Sequence, residues 1–281
     1  MQPPLKDIVR EIRSLEPFPE VATRVLAIAS QEQSGPRELI EVIQVDPGLT
    51  GKVLRLCNSA YYGFQREIAT LEEAGNLLGV RTLVNLVLTS CAGRYFKQNS
   101  GGKPSERRAQ WRSNVTHAIA ARLIAETNRL VDKEHAYTTG LLQNIGCMVL
   151  DRFFQDSEAH VTAVVAQGYP LIEAEKYALG LHHAELGARL MTRWDLPEIL
   201  TDTVRFHHAP EKATIDTVLT STVHLAETMA AARLEGDSRK GMAYEVSEAA
   251  LELTGMDPSD FERIDVDLVN ELNKAQELLD F

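Results

Sequence analysis

Residues 46–63 read DPGLTGKVLRLCNSAYYG, and this stretch carries the start and stop signals of one short helix. Asp46 precedes Pro47, so an N-cap side chain stands before a residue suited to the first helical position. Asn58 can hydrogen-bond local backbone, and Gly63 can adopt a left-handed turn. The apolar residues between these signals keep the spacing of one helix face: Leu49, Val53, Leu54 and Leu56. The stretch therefore predicts an amphipathic helix followed by a tight loop.

The loop itself, with Asn58, Ser59, Tyr61 and Tyr62, has two interpretations. Asn and Ser side chains terminate helices by bonding the backbone, which gives the loop a structural role. Tyrosine is enriched at protein interfaces, which makes the same four residues a candidate interaction surface. We favour the structural role, under which Asn58→Ala lowers the melting temperature.

Helical spacing continues on both sides of this stretch, with helices predicted near Pro19, after Gly35 and within 71–88. Residues 71–88, LEEAGNLLGVRTLVNLVL, predict two helices that meet at Gly79, an outline shared by helix-turn-helix DNA-binding motifs. The second helix carries mostly Leu and Val, whereas a recognition helix needs polar side chains to contact base edges. A packed pair of helices is therefore the favoured interpretation.

Residues 99–106, NSGGKPSE, are rich in Gly, Pro and Ser and predict a linker. Beyond the linker, the predicted helices are 107–128, 133–154, 156–167, 170–178, 182–193, 197–208, 214–234, 245–254 and 265–279. The sequence shows no alternation typical of strands, which predicts an all-α fold. The predicted domains are an N-terminal helical bundle (1–98), the linker (99–106), a second helical domain (107–235) and an acidic helical extension (236–281).

Composition and charge narrow the class of protein. Hydrophobic residues make up 44% and charged residues 25% of the 281 residues, as in ordinary globular proteins. The net charge is −11, and residues 236–281 alone hold 12 acidic and 4 basic side chains, which disfavours nucleic-acid binding. The three cysteines form no CxxC pair, and the sequence has neither a signal-peptide pattern nor a membrane-spanning apolar run. These features predict a cytoplasmic protein without a membrane partner.

Residues 140–146, GLLQNIG, place two amides, Gln143 and Asn144, in what the spacing predicts to be the middle of a buried helix. Burying polar groups costs free energy unless they are hydrogen-bonded or serve a function. This pair is therefore a candidate site.

Histidine and carboxylate side chains recur on several predicted helices of the second half. The candidates are His117, His183, His207, His208 and Glu227. Imidazoles and carboxylates that converge from separate helices form Zn, Mn or Fe sites. Against a metal site, adjacent residues 207 and 208 point about 100° apart on a helix, so at most one of them is expected to face a common centre.

Several stretches together resemble one family. In the N-terminal half they are LEPFPEVATRVLAIA, VDPGLTGKVLRLCNSAYYG and LEEAGNLLGVRTLVNLVL, and in the C-terminal half HAIAARLIA, GLLQNIG, HHAELGARLMTRWDLP and RFHH. Over roughly residues 10–235 the chain resembles the HDOD family, the output-domain branch of the HD superfamily of metal-dependent phosphohydrolases. The resemblance implies that residues 107–235 form an HD-like domain.

The resemblance also assigns roles to the candidate residues. In active HD enzymes GLLQNIG would read GLLHDIG, so Gln143 and Asn144 stand in place of the metal-binding His-Asp doublet. His117 matches the first ligand, and Glu227 approximately matches the distal aspartate. His183, with one or both of His207 and His208, matches the extra ligands of two-metal members.

The amide substitution decides the expected chemistry. An amide oxygen is a weak, neutral donor to a transition metal, and it cannot provide the anionic bridge that holds a metal-bound water. We therefore expect no catalytic residues and no cofactor. Residual binding of Zn, Mn or Fe by His117, His183, His207, His208 and Glu227 is the alternative.

The expected function is a non-catalytic bacterial signal-transduction module that binds other signalling proteins or a small ligand. One alternative is a metal-dependent phosphohydrolase or cyclic-nucleotide phosphodiesterase with a residual metal site. A second alternative is a nucleic-acid-binding regulator that uses residues 71–88 and the basic side chains near the linker. The acidic balance of the chain makes this second alternative the weaker one.

Overall fold

The computed structural model describes residues 10, 12–31, 35–153, 155–231, 233 and 246–280. Within these residues the chain forms α-helices, one 3-10 helix and no β-strand. The predicted all-α fold class is confirmed.

The described part of the first hundred residues forms five helices. They are α1 (Glu20–Ala29), α2 (Pro36–Ile43), α3 (Pro47–Cys57), α4 (Leu71–Leu78) and α5 (Val80–Asn99). The Asp46 carboxylate accepts a hydrogen bond from the Leu49 N–H at 3.0 Å and so caps α3 as predicted. The turn between α4 and α5 lies at Gly79, with φ +81°, also as predicted.

The second half continues with a long helix and a series of shorter ones. They are α6 (Pro104–Asn128), α7 (Lys133–Leu142), α8 (Ile145–Phe153), α9 (Gln155–Val165), α10 (Leu171–Leu179), α11 (His183–Arg193), α12 (Glu198–Phe206), a 3-10 turn (Pro210–Lys212) and α13 (Thr217–Ala231). The C-terminal extension adds α14 (Glu248–Thr254), α15 (Pro258–Lys274) and α16 (Gln276–Leu279). Residues 236–245 of the predicted extension lie outside the described residues.

Helix α5 runs through the interior. Its residues 83–93 are all buried, including the polar Asn85, Thr89 and Ser90. A DNA-recognition helix has to present side chains to a groove, whereas this helix is covered on every side along most of its length. No helix in the described part of the chain is both long and apolar enough to cross a membrane.

One hydrophobic core extends across the predicted linker. Phe18 stacks on Trp194 with ring centroids 5.0 Å apart, and Tyr95 contacts both rings edge-on. The Arg193 guanidinium donates hydrogen bonds to backbone carbonyls of residues 12, 13 and 15. Helix α5 ends at residue 99 and helix α6 begins at residue 104. Only residues 100–103 of the predicted linker are therefore non-helical. The domain boundary itself stays a prediction.

The prediction of one helix over 133–154 is wrong. The chain forms two helices there, α7 and α8, and Gln143 and Asn144 lie in the turn between them rather than in the middle of a helix. The local sequence is compatible with an uninterrupted helix, because Leu and Ile surround the amides. The break follows from packing against other helices.

Two glycines of GLLQNIG explain that packing. A Cβ at Gly140 would approach the His117 carbonyl oxygen to 2.9 Å, and a Cβ at Gly146 would overlap the His183 carbonyl oxygen. Only glycine allows such close contact between helix backbones. The backbones on either side of the amide pair therefore lie directly against the two chain segments that carry His117 and His183.

The loop after α3 is tied down by its polar side chains. Asn58 donates to the carbonyls of Leu54 and Ile68, both at 2.9 Å, and accepts from the Ile68 N–H at 2.7 Å. The Ser59 hydroxyl donates to the Leu56 carbonyl at 2.6 Å. These contacts support the structural interpretation of the loop. Its role in partner binding stays a prediction.

Candidate functional site

Four side chains from the second half converge on one point. His183 opens α11, His207 and His208 follow the end of α12, and Glu227 lies on α13. Their ligand-type atoms all lie within 4.8 Å of one another. We refer to these four residues as the histidine–glutamate cluster.

Both His207 and His208 belong to the cluster, which corrects the expectation that at most one of them would face it. Helix α12 ends at Phe206, so the two histidines lie in a turn and not on a regular helix. Their ring centroids are 4.0 Å apart. The 100° separation of successive helical residues does not apply beyond the last helical turn.

The distances within the cluster are short. His208 Nε2 lies 2.8 Å from His183 Nε2. Glu227 Oε2 lies 3.5 Å from His208 Nδ1 and 3.6 Å from His207 Nε2. Two imidazoles therefore lie beside the Glu227 carboxylate, and the third contacts His208.

Neighbouring groups set the orientation of two of the imidazoles. The Glu175 carboxylate accepts hydrogen bonds from both the backbone N–H and the Nδ1–H of His183, each at 2.8 Å. The His207 Nδ1–H donates to the Val204 carbonyl at 2.7 Å. Each ring thereby directs Nε2 to the cluster, as metal-binding histidines do when the other nitrogen is hydrogen-bonded.

Glu175 was not among the residues predicted from the sequence. It lies on α10, is only 3% exposed, and reaches the cluster by a contact between α10 and the start of α11. One acidic residue eight positions before a histidine is not a recognisable motif. Only the buried position of this carboxylate beside His183 reveals its role.

The cluster is deeply buried, which affects its protonation. Burial lowers the pKa of His207 and His208 well below the ordinary value, and the neighbouring imidazoles act in the same direction. His183, His207 and Glu227 are each 0–2% exposed. Neutral imidazoles are the form that coordinates a metal ion.

Asn144 connects the cluster to His117. Its Nδ2 donates to Glu227 Oε1 at 3.1 Å and lies 3.4 Å from His117 Nδ1. His117 thus meets the cluster through Asn144 and is not one of its four members. The Asn144 amide lies beside the Glu227 carboxylate, at the position where the resemblance implies an aspartate.

Gln143 behaves differently from its neighbour. It is fully buried, yet neither amide atom has a hydrogen-bond partner among the described residues. Within the described residues, Asn144 Nδ2 is therefore hydrogen-bonded and the Gln143 amide is not. The buried amide of Asn114 on α6 is likewise without a partner in the described part of the chain.

His224, which shares a helix face with Glu227, has a structural role outside the cluster. Its Nδ1–H donates to the His207 carbonyl at 2.8 Å, and its Nε2 accepts from the Ser247 N–H at 3.1 Å. Ser247 is the N-cap of α14. His224 therefore fixes both the turn that carries the cluster histidines and the start of the C-terminal helices.

Comparison with known proteins identifies the family of the chain. The HDOD domain matches residues 15–210, which is more than half of the chain. The chain belongs to the HDOD domain family. The matched range covers the five N-terminal helices, the turn with Gln143 and Asn144, and three members of the histidine–glutamate cluster. Glu227 lies beyond it.

The chain is similar to one curated relative and to two solved structures. An uncharacterized protein from Treponema pallidum is 29% identical over 207 residues, 70% of this chain, and the chain spans only 40% of that relative's length. A proposed phosphohydrolase from Shewanella amazonensis matches with a TM-score of 0.73 and 24% identity, covering 96% of this chain and 97% of the other. A proposed signal transduction protein from Marinobacter aquaeolei matches with a TM-score of 0.77 and 21% identity, covering 99% and 61%. At these identities the two structures support the fold alone.

Proposed function

We propose that this HDOD protein is a regulatory module of bacterial signal transduction that acts by binding and does not hydrolyse phosphate esters. The observation that carries this proposal is the hydrogen bond from the Asn144 amide to Glu227, at 3.1 Å. A neutral donor occupies the position at which a hydrolase of this fold needs a carboxylate.

The chemistry of the amide pair supports the proposed absence of hydrolysis. A pair of divalent metals that activates water is held by anionic ligands shared between the ions. Asn144 and Gln143 supply no negative charge, and Asn144 uses its amide hydrogen to satisfy the one carboxylate of the cluster. The four ligand atoms of the histidine–glutamate cluster match the coordination number of one metal ion, so a two-metal centre does not fit these residues.

The names of the similar structures point to both alternatives, regulation and hydrolysis, and do not decide between them. The Marinobacter protein is named for signal transduction and the Shewanella protein for phosphohydrolysis. One fold therefore carries both names, and function has to be argued from the site.

The test uses the full chain with Mn²⁺ and three substrates, a phosphomonoester, a phosphodiester and a cyclic dinucleotide. We expect no hydrolysis above that of buffer with Mn²⁺. The matched comparison is the double variant Gln143→His with Asn144→Asp, which restores the two missing ligands and is expected to take up metal tightly. Hydrolysis by the unaltered chain that disappears in His208→Ala would overturn the proposal.

A second candidate role is the binding of one metal ion, and one feature of the cluster favours it. The lone pair of His183 Nε2 can accept the proton of His208 Nε2, but then the lone pair of His208 Nδ1 faces the Glu227 carboxylate at 3.5 Å. A cation among these atoms relieves that repulsion. A Zn, Mn or Fe ion supplies Lewis-acid charge when bound, while His183, His207, His208 and Glu227 hold it.

Zinc titration of the metal-stripped chain tests this second role. Glu175→Gln is expected to lower zinc affinity about 10- to 100-fold, since it weakens the hydrogen bond that orients His183. Glu173→Gln is the matched control, because Glu173 lies on the same helix and pairs with Lys176 at the surface. A chain that binds no zinc at micromolar concentration would exclude this role and leave the regulatory proposal intact.

A further inference from the structure

Lysine and arginine side chains lie together on one side of the N-terminal helices. Lys52 and Arg55 are three residues apart on α3, and Arg94 and Lys97 are three residues apart on α5. Residues at this spacing are neighbours on a helix surface. Helices α3 and α5 pack against each other. We refer to these four residues as the cationic face.

The cationic face carries little compensating negative charge. Asp46, the N-cap of α3, lies 3.4 Å from Arg94. The side chains of Lys52 and Arg55 form no hydrogen bond or ion pair within the described residues. Positive charges that lie close together repel one another unless anions accompany them. A small anion bound at the face relieves that repulsion.

Several glutamates on neighbouring segments do not pair with the face. They are Glu67, Glu72, Glu73 and Glu277. On α4, which also packs against α3, Glu72 accepts a hydrogen bond from Gln44 and Glu73 pairs with Arg66. The other two line a surface cavity beside Arg55 without forming an ion pair with it. A bound anion therefore has to lie on the Lys52 side of Arg55, away from these two carboxylates.

Lys52 differs from the rest of the cationic face because it is partly buried. Burial lowers the pKa of its ammonium group, and the positive charges of Arg94, Arg55 and Lys97 lower it further. Its Nζ has no hydrogen-bond partner and is still not one of the fully buried polar atoms, so small molecules in solvent reach it. Lys52 therefore has more neutral amine than an isolated surface lysine at the same pH, and the neutral amine is the nucleophile.

A second nucleophile near the face is unreactive. The Cys91 thiol on α5 is fully buried, and burial raises its pKa to about 11. The thiol stays protonated at neutral pH and does not compete with the Lys52 amine.

We propose that Lys52 is a modification site to which small acyl phosphates transfer their acyl group. Arg55 and Arg94 hold the phosphate of the reagent by charge-assisted hydrogen bonds, which brings its carbonyl carbon to the Lys52 amine. The neutral amine attacks that carbon, so a C–N bond forms and the bond from the carbon to the phosphate oxygen breaks. Phosphate leaves with the electron pair, and the amine loses one proton to solvent.

The product is an amide, and the charge of the cationic face falls by one. Repulsion among the three remaining cations and this position is thereby reduced. The site uses no residue of the histidine–glutamate cluster, so it does not depend on whether the chain hydrolyses phosphate esters.

Reaction of the full chain with acetyl phosphate tests the proposal, with the initial rate at each lysine measured by mass spectrometry of proteolytic peptides. Lys212 is the internal reference, because it is exposed and its side chain forms no hydrogen bond or ion pair in the described part of the chain. We expect Lys52 to be acetylated about fivefold faster than Lys212. A rate at Lys52 that does not exceed the rate at Lys212 would overturn the proposal.

Variants of the arginines test how the phosphate is held. Arg55→Gln and Arg94→Gln should each lower the rate at Lys52 by about threefold or more, and circular dichroism confirms that each variant is folded. Arg66→Gln is the matched control, because Arg66 is exposed and pairs with Glu73, and we expect a change of less than about twofold. An unchanged rate in both Arg55→Gln and Arg94→Gln, or an equal loss in Arg66→Gln, contradicts the proposal.

Acetic anhydride separates phosphate binding from the general reactivity of the amine, because this reagent carries no phosphate. The loss of rate caused by Arg55→Gln should be smaller with acetic anhydride than with acetyl phosphate. The same loss with both reagents would show that Arg55 acts on the amine alone, which rules out the proposed recognition of an acyl phosphate.

Discussion

Two buried polar regions of this protein differ in how completely their groups are paired. The first joins the N-terminal helices to α6 and α7: Glu134 accepts from Arg122 at 2.5 Å and from Asn85 at 2.6 Å, and Thr138 donates to Asn85. Within this junction network Arg122 Nε is the one buried polar atom without a hydrogen-bond partner among the described residues. The second region, around the amide pair, leaves Gln143, Asn144 Oδ1 and His207 Nε2 without such hydrogen bonds.

The completeness of hydrogen bonding distinguishes a region that stabilises the fold from a candidate functional region. A buried network whose groups are almost all paired stabilises one arrangement of helices, and removing a member leaves a charge without a partner. Buried polar atoms without partners cost free energy, so their retention requires a further role, such as contact with a ligand, an ion or ordered water. The junction network therefore belongs to the fold, and we propose that the amide pair belongs to a site.

The largest expected effect comes from breaking the junction network. Glu134→Ala leaves the Arg122 guanidinium buried and without its main partner, which should destabilise the protein by about 3–5 kcal/mol. Urea unfolding followed by circular dichroism measures the change. Glu126→Ala is the control, because its ion pair with Lys133 is half-exposed and contributes about 1 kcal/mol or less. Similar losses in both variants would contradict the structural role of the network.

A smaller loss is expected at the loop after α3. Asn58→Ala removes three hydrogen bonds to the backbone of residues 54 and 68, and should cost about 1–3 kcal/mol with a lower melting temperature. Thermal unfolding gives the measurement. An unchanged melting curve combined with lost partner binding would instead assign this loop to recognition.

Alkaline pH sharpens the comparison, because Tyr61 and Tyr62 lie partly buried beside the junction network, where Tyr61 accepts a hydrogen bond from Arg122. Their pKa is raised in the folded state, so above about pH 10 the unfolded chain loses protons that the folded chain keeps, and stability falls as pH rises. Tyr62→Phe should reduce this slope by up to about 1.4 kcal/mol per pH unit. Tyr169→Phe, at an exposed position, serves as the control in urea unfolding from pH 9 to pH 11. An identical slope in the Tyr62 variant would argue against burial of its hydroxyl.

The smallest expected effect is at Gln143. Gln143→Leu replaces an amide that makes no hydrogen bond to the described residues, and should change stability by less than about 1 kcal/mol. Asn144→Leu is the matched contrast, since it leaves Glu227 Oε1 without the Asn144 donor and should cost more. Both are measured by urea unfolding. A large loss in Gln143→Leu would show that this amide is held by ordered water and is part of a closed network after all.

The all-α class, the cap at Asp46, the turn at Gly79 and the family itself could be recognised from the sequence. Helix periodicity and capping depend on residues a few positions apart, and those are read directly from the chain. The identity of the cluster residues also came from the sequence, through the resemblance of the histidine-bearing stretches.

Only the tertiary structure decided how those residues meet. In the structure, residues 133–154 form two helices that separate at the amide pair. Both His207 and His208 lie beside Glu227, and Glu175 hydrogen-bonds His183. The physical reason is that these contacts depend on which helix backbones approach closely, as at Gly140 and Gly146, and such approaches join positions that are distant in sequence.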